Sequence, residues 1–293
     1  MVTITGLVGF GLAAAQSALA EGMPGFGWLA VHSVSVALGT GLAAGGANAL
    51  NQWMESEPDA CMTRTQKRPL PAGRLAPSSV LSLGLVLSVL GVALLWLVTG
   101  WAPAMLAATC TLVYTLAYTP SKRMTSLSTL VGTIPGALPP MIGWSAATGG
   151  GLESLAGAGS LGGWTLVALM TVWQVPHFLA IAWMYREDYA RGGFKVLSVN
   201  DAGGRRTMPA IWWSSLLMVG VTLAPLATMP GLTGWVYGVV AAVGGLLVLR
   251  LAWRALRDRS DSSARKVFFA SIIHLPVLLL VLVGDALVHA LLS

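Results

Sequence analysis

The chain has 293 residues, of which 55% are hydrophobic and only 10% charged, with a mean hydropathy of +0.74. Soluble globular proteins carry about 25% charged residues, so this composition excludes a soluble enzyme, a disordered tail protein and an ordinary nucleic-acid-binding domain. The net charge of +6 needs an explanation other than nucleic acid, and the order of the apolar runs supplies one.

A helix that crosses a bilayer needs about 20 apolar residues. Runs of that kind occur at 2–20, 28–50, 79–99, 101–119, 126–148, 161–184, 209–229, 232–253 and 267–291. The expected fold is therefore all-α and integral to the membrane, with nine spans in a single domain covering 1–293. With nine spans the connecting segments alternate between the two membrane faces. One face then receives all 17 Lys and Arg residues, and the other receives Glu21 and Glu153 and no base. The positive-inside rule puts the basic face in the cytoplasm and the C-terminus outside, as in a bacterial-type inner membrane.

Ser17-Ala18-Leu19-Ala20 in the first run has the small residues of a signal-peptidase site. Residues 1–9 carry no Lys or Arg, so the run reads as a retained helix. Cys61 lies in a basic-face loop and Cys110 inside a span, and they are not expected to pair. Gly39, Gly41, Gly45 and Gly46 in the second span, with Pro135, Pro139 and Pro140 in the fifth, point to close or bent helix packing.

The most informative segment, 51–74, begins where the second span runs out. Asn51 and Glu55 are four apart and share a helix face. Pro58 then disturbs the helix, so that Asp59 can turn to the same point, with Glu57 between. Carboxylates and an amide oxygen crowded at a helix mouth suit a hard cation, and Mg²⁺ takes such oxygen ligands while bridging to phosphate. Arg64, Lys67, Arg68 and Arg74 follow at once, and such groups bind phosphate oxygens. Acids followed by bases suit a substrate carrying a diphosphate. A solvated loop obeying the charge rule is the plainer alternative.

Tyr118 to Arg123 forms the next basic-face gap, where Lys122 and Arg123 could reach a diphosphate or simply anchor the helix. After the sixth span, Arg186, Glu187, Asp188 and Arg191 repeat the acid-and-base pattern. Glu187 and Asp188 could serve a second metal position. The last basic group, 250–266, reads as a headgroup-facing linker. Among the histidines, His177 lies nearest these segments and is either functional or a packing residue. Asp285 and His289, four apart near the opposite end, could pair with each other in a structural role.

Asn51-x-x-x-Glu55-x-x-x-Asp59 followed by Met62-x-Arg64-Thr65-x-x-Arg68-Pro69-Leu70 resembles the first acidic motif of the UbiA prenyltransferase superfamily. Trp173-Gln174-Val175-Pro176-His177-Phe178, then Arg186-Glu187-Asp188-Tyr189 and Gly192-Gly193, resembles the second region of its protoheme IX farnesyltransferase (heme O synthase) branch. Tyr114 to Arg123 resembles the middle loop motif, and the likeness runs from about residue 3 to residue 290. Two departures stand out. Most bacterial members have Asp where this chain has Glu55. Members also carry a basic stretch before the first span, which suggests a natural start upstream of residue 1.

The resemblance implies a nine-helix bundle around a central cavity opening on the cytoplasmic side. It also implies farnesyl diphosphate as donor, heme b as acceptor and Mg²⁺ as metal. The product would be the hydroxyethylfarnesyl heme used by heme A synthase and oxidase assembly factors. Asn51, Glu55 and Asp59 would hold one metal, and Asp188 with Glu187 a second. Arg64, Lys67, Arg68, Lys122 and Arg186 would neutralise the leaving diphosphate. Tyr114, Tyr118 and Trp173 would shield the allylic cation, and His177 would ligate or orient the heme. A quinone-precursor prenyltransferase is the nearest rival. A transporter is disfavoured because most carboxylates sit at one interface.

Overall fold

The computed structural model describes residues 1–22 and 24–292; the side chains of Glu21, Leu291 and Leu292 lie outside that set, as do Met23 and Ser293. The described residues form helices joined by turns and by two longer loops, 62–76 and 192–206, with no β-strand beyond one isolated bridge. In order these are α1 (Val2–Glu21), α2 (Phe26–Met54), α3 (Ser56–Cys61), α4 (Pro77–Thr99), α5 (Trp101–Leu112), α6 (Thr119–Met124), α7 (Ser128–Ala137) and α8 (Pro139–Ala147). They continue with α9 (Glu153–Ala156), α10 (Leu161–Met184), α11 (Arg186–Arg191), α12 (Thr207–Thr222), α13 (Pro225–Thr228), α14 (Trp235–Asp258) and α15 (Asp261–Leu292). Eight stretches among the described residues are long and apolar enough to cross a membrane. Large apolar side chains such as Leu90, Trp96, Leu97 and Leu280 stand exposed around them, as lipid contact requires.

The 126–148 run, expected as one span, is two helices meeting at Leu138. Pro139 and Pro140 have no N–H, so the carbonyls of Pro135 and Gly136 lose their helical donors and the ladder breaks. The two pieces still lead from one end of the bundle to the other. Ser128 lies beside Tyr118 and Lys122, whereas Gly150, just past α8, accepts a hydrogen bond from Ala102 N at 2.9 Å at the far end.

Small residues set the closest approaches. A methyl group on Gly91 of α4 would come within 2.5 Å of Ala43 N and 2.6 Å of Gly39 O on α2, so only glycine lets these backbones touch. On the other side of α2, α1 packs on α8, where Gly143 lies against Gly6. The main core is built around Trp144, Met141, Leu169 and Tyr237, all fully buried.

The basic segments do gather at one end. Lys195 N donates to Lys122 O at 2.7 Å, Thr63 N to Asp188 at 3.1 Å, and Arg186 reaches Asp261 at 2.8 Å. At the opposite end the Asp285 carboxylate accepts from Gly234 N (2.8 Å) and Tyr237 N (3.1 Å), capping α14. Its structural role thus runs through α14. His289 Nδ1 lies 2.8 Å from the Asp285 backbone carbonyl, and among the described residues no hydrogen bond joins the two side chains.

Candidate active site

α2 ends at Met54, because the ring of Pro58 excludes the carbonyl four residues back. α3 starts two residues later, with Pro58 in its first turn, where a missing N–H costs nothing. The interruption is brief, and Asp59 N still donates to Glu55 O at 2.8 Å. Asn51, Glu55 and Asp59 therefore continue one face, and all three are buried.

Each has a specific partner. Asn51 Nδ2 donates to Thr119 Oγ1 at 2.9 Å. Glu55 Oε2 accepts from Lys122 Nζ at 2.9 Å, and Asp59 Oδ2 accepts from Arg68 at 2.7 Å. The other oxygen of Glu55, Oε1, is buried without a partner among the described residues. Lys122 is held where it can act: its ammonium lies 4.6 Å from the Tyr118 ring centre and 5.7 Å from that of Phe194.

The helix carrying Tyr118 is itself distorted. Residues Val113–Tyr118 form a wide π-turn between α5 and α6. Pro120 cannot donate to the Leu116 carbonyl, and Thr119 Oγ1 instead bonds Tyr114 O at 2.8 Å. Single π-turns of this kind concentrate at functional sites.

The loop after Asp59 crosses to the second acidic motif. The backbone N–H groups of Thr63 and Arg64 donate to Asp188 at 3.1 and 3.3 Å, and the Arg191 guanidinium pairs with the same carboxylate. Burial alone would raise the Asp188 carboxyl, but Arg191 and those two N–H groups outweigh it and hold it below the usual carboxylate range. Arg64 has no carboxylate partner among the described residues. Its guanidinium lies over the Tyr185 and Tyr189 rings at 4.9 and 5.5 Å and bonds the Tyr189 hydroxyl at 3.3 Å. Arg64, Arg186, Glu187 and Asp188 border a polar cleft of about 510 Å³; Lys67 and Glu57 are exposed and do not line it. Arg186 is engaged with Asp261 and stacked on Trp183 at 4.4 Å.

Beneath Asn51 lies a largely apolar cavity of about 320 Å³ between α2, α5, α7, α8 and α10. Tyr114 and Tyr118 line it near the acids. From the Trp173–Phe178 motif only Gln174 and Phe178 line it. Trp173 and His177 occupy the neighbouring face and turn to α15. Trp173 Nε1 donates to Ser271 O at 2.8 Å, and His177 Nδ1 lies 2.9 Å from Ser271 Oγ, its ring stacked between Trp173 and Phe268.

Oxygen donors on Asn51, Glu55, Asp59 and Asp188 are the kind that Mg²⁺ takes, and the unpartnered Glu55 Oε1 fits a missing ligand bond. No three His, Cys, Asp or Glu side chains among the described residues form a ready cluster for a metal. An ion here would draw its remaining ligands from phosphate and water. Sequence reasoning did not single out Thr119, Asn48 or the cavity role of Gln174; the four-residue spacing of Gln174 and Phe178 was the available signal.

Residues 2–273 match the UbiA prenyltransferase family. The chain is 41% identical over 266 residues to the protoheme IX farnesyltransferase of Opitutus terrae, covering 89% of this chain and 85% of the relative. It is 41% identical over 248 residues to that of Salinibacter ruber, covering 85% and 84%. It is 34% identical over 296 residues to that of Koribacter versatilis, covering 97% and 89%. A solved structure of a digeranylgeranylglyceryl phosphate synthase superposes with a TM-score of 0.76 at 16% identity, over 97% of this chain and 92% of that one, and shares the fold. With its buried acid–base pairs set over an apolar cavity, the chain belongs to the UbiA prenyltransferase family.

Proposed function

We propose that the chain transfers the farnesyl group of farnesyl diphosphate to a vinyl group of heme b, giving heme O and diphosphate. The carrying observation is the set of buried oxygen donors, Asn51, Glu55 and Asp59, faced by Arg68 and Lys122 above the apolar cavity. The curated names of the relatives supply the acceptor. In this reading the segment 128–147 completes a ninth crossing, the basic end is cytoplasmic and the C-terminus lies outside. The product would pass to a heme A synthase or to oxidase assembly.

Asn51, Glu55 and Asp59 would hold one Mg²⁺ and Asp188, with Glu187, a second; when bound, the metal would neutralise charge on the leaving diphosphate. Arg68 and Lys122 would donate to the diphosphate oxygens as the allylic C–O bond lengthens, with Arg64, Lys67 and Arg186 completing the positive rim. Tyr114 and Tyr118 would turn ring faces to the allylic cation in the upper cavity, and the apolar wall below would exclude bulk water. Trp173 and His177 would serve the acceptor by fixing α10 against α15, which keeps Gln174 and Phe178 toward the cavity.

The test is a product assay. Membranes containing the chain are incubated with heme b, farnesyl diphosphate and Mg²⁺, and extracted hemes are separated and weighed. A farnesylated heme that disappears without Mg²⁺ is expected. Unchanged heme b from well-inserted protein would sink the assignment and make quinone precursors the next acceptors.

A further inference from the structure

We infer that Gln174 is the positioning residue for the water that ends the reaction. The inference rests on the heme reading above. Farnesyl transfer to the vinyl group breaks the allylic C–O bond and forms a C–C bond to the terminal vinyl carbon. Positive charge is left on the inner vinyl carbon, next to the macrocycle. Water then adds its oxygen there and releases a proton to the departing diphosphate, leaving a hydroxyl. The competing exit is loss of a proton from the adjacent methylene to the same diphosphate, leaving an alkene lighter by one water. An apolar cavity favours the second exit unless one water is held against the cation.

Gln174 is built to hold it. It is 3% exposed and lines the cavity one turn below Phe178. Its amide nitrogen is committed to α10 and α7, donating to Met170 O at 3.0 Å and Thr133 O at 3.4 Å. That fixes the side chain, and Oε1 accepts no hydrogen bond among the described residues. Oε1 rests against the backbone of Gly136, where a methyl group would come within 2.0 Å of it. The hydroxyl hydrogens of three other side chains in the cavity are committed elsewhere. Thr40 and Thr111 turn their hydroxyls onto helix carbonyls, and Tyr114 donates to Asn48. Gln174 Oε1 is therefore an acceptor held in a fixed orientation in this wall, next to Gly136. A water that donates one proton to it keeps a lone pair for the cation.

The experiment reads product identity, not yield. Wild type, Gln174→Met, Gln174→Asn and Gln174→Glu are incubated with heme b, farnesyl diphosphate and Mg²⁺ in heavy-oxygen water. Wild type is expected to give the hydroxylated heme carrying the label. Gln174→Met, and Gln174→Asn with its amide drawn back by one methylene, are expected to raise the alkene-to-hydroxyl ratio about tenfold, the factor one ordinary hydrogen bond carries. Gln174→Glu keeps an acceptor at the same reach and is expected to retain the hydroxylated product. A lower yield at an unchanged ratio in the Met and Asn variants overturns the inference, as does a folded Met variant that makes neither product or an unlabelled hydroxyl in wild type. A wild type that makes no farnesylated heme overturns the heme reading itself, which is a separate result.

Discussion

Replacing Lys122 with methionine removes the cation but keeps most of the side-chain volume. The Nζ–Oε2 distance to Glu55 is 2.9 Å, and the two side chains are 13% and 6% exposed. At an effective dielectric of about 20, that separation corresponds to about 6 kcal/mol of gross attraction. Desolvation offsets much of it, but the measured cost of breaking a buried pair from one side is about 3–5 kcal/mol, because the surviving charge stays buried and alone. Glu55 is an extreme case, since Oε1 already has no partner among the described residues. Lys122→Met should therefore unfold at clearly lower temperature in detergent, and added Mg²⁺ should restore part of the loss by giving Glu55 a new counter-charge. Turnover should fall by about 10²–10³, the usual cost of one donor to a developing oxyanion. Thermal unfolding with and without Mg²⁺, alongside the heme mass assay, measures all three effects. A variant within about 1 kcal/mol of wild type, indifferent to Mg²⁺ and fully active, would refute the reasoning.

Asp59→Ala and Asp188→Ala should each lower turnover at least about a hundredfold while the protein still inserts, as judged by membrane fractionation; near-normal activity would remove that residue from the site. Gly91→Ala should cost about 1–3 kcal/mol by overpacking, since its methyl group meets the backbone of Gly39 and Ala43, and the melting temperature reports it. Asp201 accepts from the backbone N–H groups of Arg205, Arg206 and Thr207 at 2.7–3.0 Å and caps α12. Burial would raise its carboxyl, but those backbone donors hold it below the usual range. A depressed carboxyl contributes stability that is present above the unfolded value, near 3.9, and lost as pH falls through the folded one. Asp201→Asn should therefore melt below wild type at pH 5–8, by about 1 kcal/mol, with the two profiles converging below about pH 4.

The sequence exposes what depends on composition and spacing. Runs of apolar residues mark the spans. The basic residues gather at one end, as the asymmetry of Lys and Arg between alternate loops foretells. The four-residue steps from Asn51 to Glu55 to Asp59 put three oxygen donors on one face, and the structure keeps them there. Helical phase is harder to read. α10 is apolar all round, so nothing in its pattern says that Gln174 and Phe178 face the cavity while Trp173 and His177 face α15. Long-range partners are equally hidden. The backbone donors to Asp188 lie more than a hundred residues away, and those to Asp285 sit on another helix. The three prolines of the fifth run signalled bending, but the clean break at Leu138 follows only from two consecutive missing N–H groups.

The two acidic motifs are joined by a single loop, and that loop explains why the acids and bases alternate along the chain. Asp59 takes Arg68 through its side chain, and the intervening Thr63 and Arg64 offer their backbone N–H groups to Asp188. Each carboxylate is thus held by a donor from the segment that follows the first motif, while Lys122 reaches Glu55 from a third element. Removing any one acid would leave a cation unpaired at the same mouth, where charges are partly buried and screening is weak. Such a mouth carries little net charge of its own yet is lined with groups that can change partners. An incoming diphosphate would draw Arg68 and Lys122 from the carboxylates and free those oxygens for a cation in the same step. Donor and metal should therefore bind cooperatively, each raising the affinity of the other by the same factor.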